Sequence, residues 1–343
     1  MTAVNLKEAV VAQHSREASP ILQQILQNRY TGALLSLLIV GTIVAVTQPV
    51  FLTWPNLMNI VKSNSVVFVL AVGATFVVIA GAIDLSVASA TAACAMVLGL
   101  LLVAGAPAYA AIPAAVAFGA FLGAINGTLI SYFKISFFVV TLGSLSMFQS
   151  FALIANDGAS ISVFSSPGFA PIGAFVNGNI GPVPVMLIFD LALLLIAGGV
   201  LRYTAFGRAL FAIGANTEAA RLNGIDVKRM MLIVFIIAGL MAGLGSVIQV
   251  GRLTSASADI DPTLLLTVLA AVLIGGTAYT GGEGGVFGTM IGVLFLGVIQ
   301  NGLTLSGVSS FWQGMVSGLI LILAVWLGGL RQFMRRRKQA KVG

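Results

Sequence analysis

The sequence predicts an all-α polytopic membrane protein of about ten transmembrane helices, and three observations predict it. Of 343 residues, 59% are hydrophobic and 8% charged, about a third of the charge that a soluble domain carries. A soluble core cannot bury so much apolar surface and keep a wettable exterior. The apolar residues fall in ten runs, each near the roughly 20 residues that a spanning helix needs. The basic residues gather at alternate ends of those runs, as in oriented membrane proteins.

Composition also excludes chemistry. With one histidine, His14, and one cysteine, Cys94, the chain can hold no internal disulfide, and a His/Cys zinc centre or a Ser-His-Asp triad is not expected; no metal site is. The excess of 17 Lys+Arg over 10 Asp+Glu reads as membrane orientation, not as a nucleic-acid partner. Forty glycines suit close helix packing in lipid.

Residues 1–30 form a cytoplasmic N-terminal segment. Lys7, Glu8, Arg16, Glu17 and Arg29 precede the first long apolar run, the wrong order for a secretory signal. Residues 4–28 read either as an amphipathic helix on the membrane surface or as a disordered tail. The transmembrane domain, 31–330, holds spans at 31–51, 57–80, 84–105, 108–131, 135–155, 183–201, 230–250, 263–280, 286–305 and 312–330. Two separations are weak, at Gly81-Ala82-Ile83-Asp84 and at Gly281 to Gly285. Either could be a re-entrant or broken helix, which glycine permits where the backbone is buried in protein.

Charge tests the count. With both termini in the cytoplasm, ten spans place fifteen of seventeen basic residues inside. These are Lys7, Arg16 and Arg29; Lys134; Arg202, Arg208, Arg221, Lys228 and Arg229; and Arg331, Arg335, Arg336, Arg337, Lys338 and Lys341 of the basic tail, 331–343. Only Lys62 and Arg252 fall near the other face. An odd count would break the bias. Arg335-Arg336-Arg337-Lys338 of the tail could bind anionic membrane lipid, but ordinary positive-inside anchoring explains it as well and is the preferred reading.

Two loops are long enough to matter. Residues 156–182 lie outside, carry no Lys or Arg, and are apolar enough to pack on the mouth of the bundle, with room for a short re-entrant helix. Residues 202–229 lie inside and are mixed in charge. Within them, Asn216 and Thr217 are candidate N-caps, Glu218-Ala219-Ala220-Arg221 favours helix, and Gly224 suits a helix stop. A two-turn charged helix follows. It has the shape to seat in a groove of another protein, or it is a solvated loop helix.

An internal repeat is suggested twice. Phe121 to Gly127 is like Phe295 to Gly302, and Val78-Ile79-Ala80-Gly81 is like Leu273-Ile274-Gly275. Their offsets disagree, so one duplication does not give both without an insertion.

These residues carry a resemblance. Glu218-Ala219-Ala220 followed by Gly224 resembles the coupling motif of ABC importer permeases. Gly207-Arg208-Ala209-Leu210-Phe211-Ala212-Ile213-Gly214-Ala215-Asn216 is similar to the stretch before that motif in sugar permeases of the ribose/xylose/inositol type, relatives of branched-chain amino acid permeases. Ala80 to Val87, with Gly81, Asp84 and Ser86, resembles a signature of that family. So does Leu273 to Thr277, with Gly275 and Gly276, followed by Gly281-Gly282-Glu283-Gly284. Ala82 and Ala88 stand where the family commonly has glycine. The resemblance covers about 55 to 327.

It implies a permease subunit of a bacterial inner-membrane importer for a monosaccharide or polyol, not an enzyme. Its partners would be a second permease subunit, a cytoplasmic ATPase subunit and a periplasmic sugar-binding protein. Gly207, Arg208, Glu218, Ala219, Ala220, Arg221 and Gly224 would couple to the ATPase. A phosphate-binding loop needs Gly-Lys-Ser/Thr, and none of the six lysines follows a glycine. The chain is therefore expected to bind no cofactor, and a partner uses the ATP.

Polar residues within spans are costly and usually face the interior. Asn126, Ser144, Ser146, Gln149, Gln300 and Asn301 could bond a polyhydroxylated solute along the path, or bond between helices. Asp84 reads as the cap of a helix starting at Leu85, with contact to the substrate as the alternative. Asp190, the one acid within a span, would pair with another helix or be protonated. The rival reading is a proton-coupled secondary transporter with Asp190 as carrier.

Overall fold

The computed structural model describes residues 31–259, 261, 263–309, 312–323 and 326. The expectations for residues 1–30 and for the basic tail, 331–343, lie outside the described residues. Each apolar run holds a helix: α1 Thr31–Thr47, α2 Trp54–Ile79, α3 Val87–Val103, α4 Ala108–Ser131, α5 Phe137–Ile154, α7 Val185–Tyr203, α10 Val227–Leu253, α11 Thr263–Ile274, α12 Val286–Leu305 and α13 Trp312–Leu323. The loop at 156–182, which has no Lys or Arg, adds α6 Phe169–Asn177, and the charged loop at 202–229 adds α8 Ala205–Ala215 and α9 Thr217–Leu222. Six helices, α2, α4, α5, α7, α10 and α12, are long and apolar enough to cross a membrane. That makes the chain a helical polytopic membrane protein.

Two glycine breaks separate consecutive helices, each with one of the shorter helices on one side. Helix α2 stops at Ile79 and α3 starts at Val87; α11 stops at Ile274 and α12 starts at Val286. Both breaks begin alike. The amide of Gly81 donates to Val78 O at 3.0 Å and that of Ala82 to Val77 O at 3.1 Å. The amide of Gly276 donates to Leu273 O at 3.0 Å and that of Thr277 to Val272 O at 3.2 Å. This paired closure requires a left-handed residue, and Gly81 and Gly276 supply it with φ of 83° and 88°. The pattern helix–break–helix thus occurs twice, and Gly81 is matched by Gly276 rather than by Gly275. The other suggested similarity places Phe121 on α4 and Phe295 on α12, helices that hold different positions relative to the breaks.

Burial ranks the helices. In α2, 83% of the most apolar window is buried, against 28% in α4, α5 and α7. Helix α2 is the central post, and the others keep an apolar face outward, as Leu195 and Ile196 do on α7. Close packing of α4 on α10 explains much of the glycine content. A methyl added at Gly119, Gly123 or Gly239 would overlap backbone of the facing helix, and one at Gly243 would lie 2.6 Å from Val116 Cα. These glycines recur every fourth residue and let two backbones touch. Gly123→Val should destabilise the protein by about 1–3 kcal/mol through overpacking, read as a lower Tm in detergent. Gly41→Ala, with nothing within 4 Å of the new methyl, should not move it.

The loop at 156–182 packs on the bundle as expected. Strand β1 (Ile161–Ser162) pairs antiparallel with β4 (Ser255–Ala256), and β2 (Asn179–Ile180) with β3 (Val183–Pro184). Phe169, Ile172 and Val176 of α6 are buried. The two cations that break the charge bias hold this region. Lys62 Nζ donates to Asn177 O at 3.2 Å and to Asn179 Oδ1 at 3.0 Å; Arg252 Nη1 donates to Ser63 O at 3.0 Å.

Candidate functional site

The charged loop folds into two short helices with defined ends. Thr204 Oγ1 accepts from the Gly207 amide at 3.2 Å, which starts α8. Gly207 is buried, and a methyl there would meet Leu201 Cα at 2.7 Å. Arg208 points to solvent. Asn216 Oδ1 accepts from the Ala219 amide at 2.9 Å and starts α9. The amides of Gly224 and Ile225 close α9 on Arg221 O at 3.0 Å and Ala220 O at 3.1 Å. Gly224 adopts φ of 82°. The expected two-turn helix is therefore present, with Asn216 as its cap and Gly224 as its stop.

On α9 only Ala220 is buried. Glu218 and Arg221 form a two-pronged ion pair, Nη2 to Oε1 at 2.6 Å and Nε to Oε2 at 2.9 Å. The hydrogen bonds from Arg221 hold the Glu218 carboxyl below its usual range. Exposed pairs of this kind add little stability. What they fix is shape: a rigid, charged knob with Ala219 and Leu222 also exposed.

Helix α8 has no counterpart in the expected elements. Its eleven residues are too few and too mixed for a span, yet they carry a clear pattern. Gly207, Leu210 and Ile213 are buried, and Phe206 stacks on Phe76 of α2 with ring centroids 6.2 Å apart. This spacing of three to four residues is the amphipathic signal that could have identified it.

The family-like glycines come together at the end of α8. A methyl on Gly81 would lie 3.8 Å from Gly214 Cα, and one on Gly281 would lie 2.8 Å from Gly81 Cα. Gly275 packs instead on Gly288 and Thr289, where an added methyl would lie 2.6 Å from Thr289 N.

Asn126, Ser144, Asp190 and Asn301 bond between helices. Asp84 does not cap a helix at Leu85; α3 begins at Val87, and Asp84 Oδ1 accepts from Ser86 N at 2.8 Å and Ser86 Oγ at 2.6 Å. The chain continues from Asn126 Nδ2 to Ser86 Oγ at 3.0 Å and from Ser144 Oγ to Asn126 Oδ1 at 2.5 Å. All four residues are buried. One network therefore joins the first break to α4 and α5. Asn301 exchanges two amide bonds with Asn56, at 2.9 and 3.0 Å. Gln149 Nε2 donates to Ala258 O at 2.7 Å. Gln300 is half-buried and Ser146 exposed. Asp190 Oδ2 accepts from Ser65 Oγ of α2 at 2.7 Å, and Asp190 is 2% exposed. Asn56, Ser65 and the Thr75–Thr289 hydroxyl pair at 2.7 Å escape sequence reading, because a lone small polar residue hardly dents an apolar run.

Comparison with known proteins gives a family match over residues 56–325, to the model described as branched-chain amino acid transport system / permease component. The chain is 35% identical over 300 residues to the ribose import permease protein RbsC of Escherichia coli K12, covering 88% of this chain and 94% of that protein. It is 37% identical over 297 residues to the ribose import permease protein of Bacillus subtilis, covering 86% and 91%. It is 34% identical over 321 residues to the D-allose transport system permease protein AlsC of Escherichia coli K12, covering 93% and 97%. No solved structure matches.

Proposed function

Because the chain belongs to the family of branched-chain amino acid transport system permease components, we propose that it is the membrane subunit of an ATP-driven importer for a monosaccharide or related polyol. The sugar class rests on the ribose and allose permeases it resembles. The observation that carries the coupling assignment is α9: a capped, charged, fully formed knob whose exposed surface has no use inside the bundle. In this reading α9 seats in a separate ATPase subunit, which hydrolyses the ATP. Gly207, Arg208, Gly224 and the buried Ala220 shape the approach, and Glu218, Ala219 and Arg221 form the contact. A second permease subunit completes the path, and a sugar-binding protein docks outside on the loop at 156–182. Ten crossings with both termini in the cytoplasm account for the charge bias.

Topology is tested by cysteines at Ser162 and Asn177, both exposed in the loop at 156–182. Both should react with an impermeant thiol reagent added from outside, in a chain whose own Cys94 is buried. Reaction from the cytoplasmic side alone overturns the ten-span orientation. Function is tested by uptake of labelled sugars in a deletion strain; uptake independent of the ATPase subunit would remove the importer reading.

A further inference from the structure

Three segments far apart in the chain meet at one point, backbone to backbone. They are the first break at Gly81, the second break at Gly281 and Gly282, and the end of α8 at Gly214 and Ala215. The Gly282 amide donates to Ile79 O at 2.9 Å, so the second break is hydrogen-bonded to the last residue of α2. A methyl on Gly281 would lie 2.8 Å from Gly81 Cα and 3.1 Å from Gly214 Cα. One on Gly282 would lie 2.7 Å from Ala215 N, and one on Gly214 would overlap Ile79 O and Gly282 N. Gly281 and Gly282 also adopt φ of 84° and 76°. Beside backbone, the near contacts of Gly282 include Ala215 Cβ, 3.1 Å from the added methyl, and alanine has no rotamer to change. The residue after Ala215 is Asn216, the cap of α9.

We propose that Gly214, Gly281 and Gly282 are positioning residues of a rigid junction that carries movement of α9 to both helix breaks at once. The inference rests on α9 being the ATPase contact. A flexible side chain would absorb a shift of a fraction of an ångström, whereas a close-packed backbone contact transmits it. The first break is bonded on to Asn126 and Ser144 through Ser86. The same shift therefore reaches α4 and α5 from one side of the junction and α12 from the other.

The test uses the full transporter, with its ATPase and binding protein, in nanodiscs. For Gly214→Ala the ATPase should still copurify, while stimulation by sugar-loaded binding protein and sugar uptake both fall about tenfold, the scale of one overpacked contact. Gly199→Ala, with nothing within 4 Å of its methyl, should match the unmodified chain. Hydrogen exchange on the unmodified complex supplies a measurement that no misfolded variant can confuse. A non-hydrolysable ATP analogue should change exchange at 80–86, 211–215 and 275–285 together. Normal stimulation in Gly214→Ala, or a change in α9 that reaches only one break, overturns the junction and leaves the ATPase contact standing. Exchange in α9 that is indifferent to ATPase docking removes the contact and the junction with it.

Discussion

Replacing Gly224 with valine is expected to lower solute uptake about tenfold or more, by the scale of a forced positive φ, while the chain still reaches the membrane. The reason is conformational and not steric. Nothing lies within 4 Å of a methyl added at Gly224, so the site has room. Its φ of 82° is what a β-branched residue resists. Valine must either strain the turn or release the two amides that close α9 on Ala220 and Arg221. In both cases the knob points elsewhere, and the ATPase should copurify in lower yield. Gly224→Asn is the matched control, because asparagine tolerates the left-handed region; it should keep most of the uptake. Uptake and copurification unchanged in Gly224→Val would detach α9 from coupling.

The ends of α9 were legible in sequence because caps and stops are local. Asn216 and Gly224 act on neighbours within a few residues, and the structure uses both as the residue types imply. The ten apolar runs were legible for the same reason, since a run of hydrophobic residues reports its own solvent. Glycine content marked the two weak separations. It could not say that Gly81, Gly214 and Gly281 touch, because a residue without a side chain leaves no pattern of size or charge to pair with its distant neighbours. Asn126 and Ser144 show the same limit in polar form. Each reads as a candidate for the solute path, yet their hydrogen bonds run to one another and to Ser86. Helix α8 fell between the two kinds of signal, too short for a span and too apolar for a solvated loop.

Asp190 separates an ATP-driven importer from a proton-driven carrier, and its substitutions should split widely. It is buried on α7 against Ser65 of α2, the central helix, with Oδ1 unpartnered among the described residues. Asp190→Lys would place an ammonium in that contact, against Ser65, which lies one helical turn from Lys62 on α2. A buried charge left uncompensated costs about 3–5 kcal/mol, so little folded protein should reach the membrane. Asp190→Asn keeps the shape and an acceptor for Ser65 and adds no charge. If ATP hydrolysis drives uptake, no carboxyl in the membrane must cycle a proton, and Asp190→Asn should retain substantial accumulation. A proton-driven carrier needs a titratable group in the span, and Asp190 is the acid that α7 offers. The deciding measurement is accumulation of the cognate sugar by Asp190→Asn cells, with and without an uncoupler, at matched protein levels. Accumulation that persists in the mutant places Asp190 in the α2–α7 contact. Accumulation lost in the mutant, together with uncoupler sensitivity and ATP independence in the unmodified protein, would make Asp190 the carrier and overturn the importer.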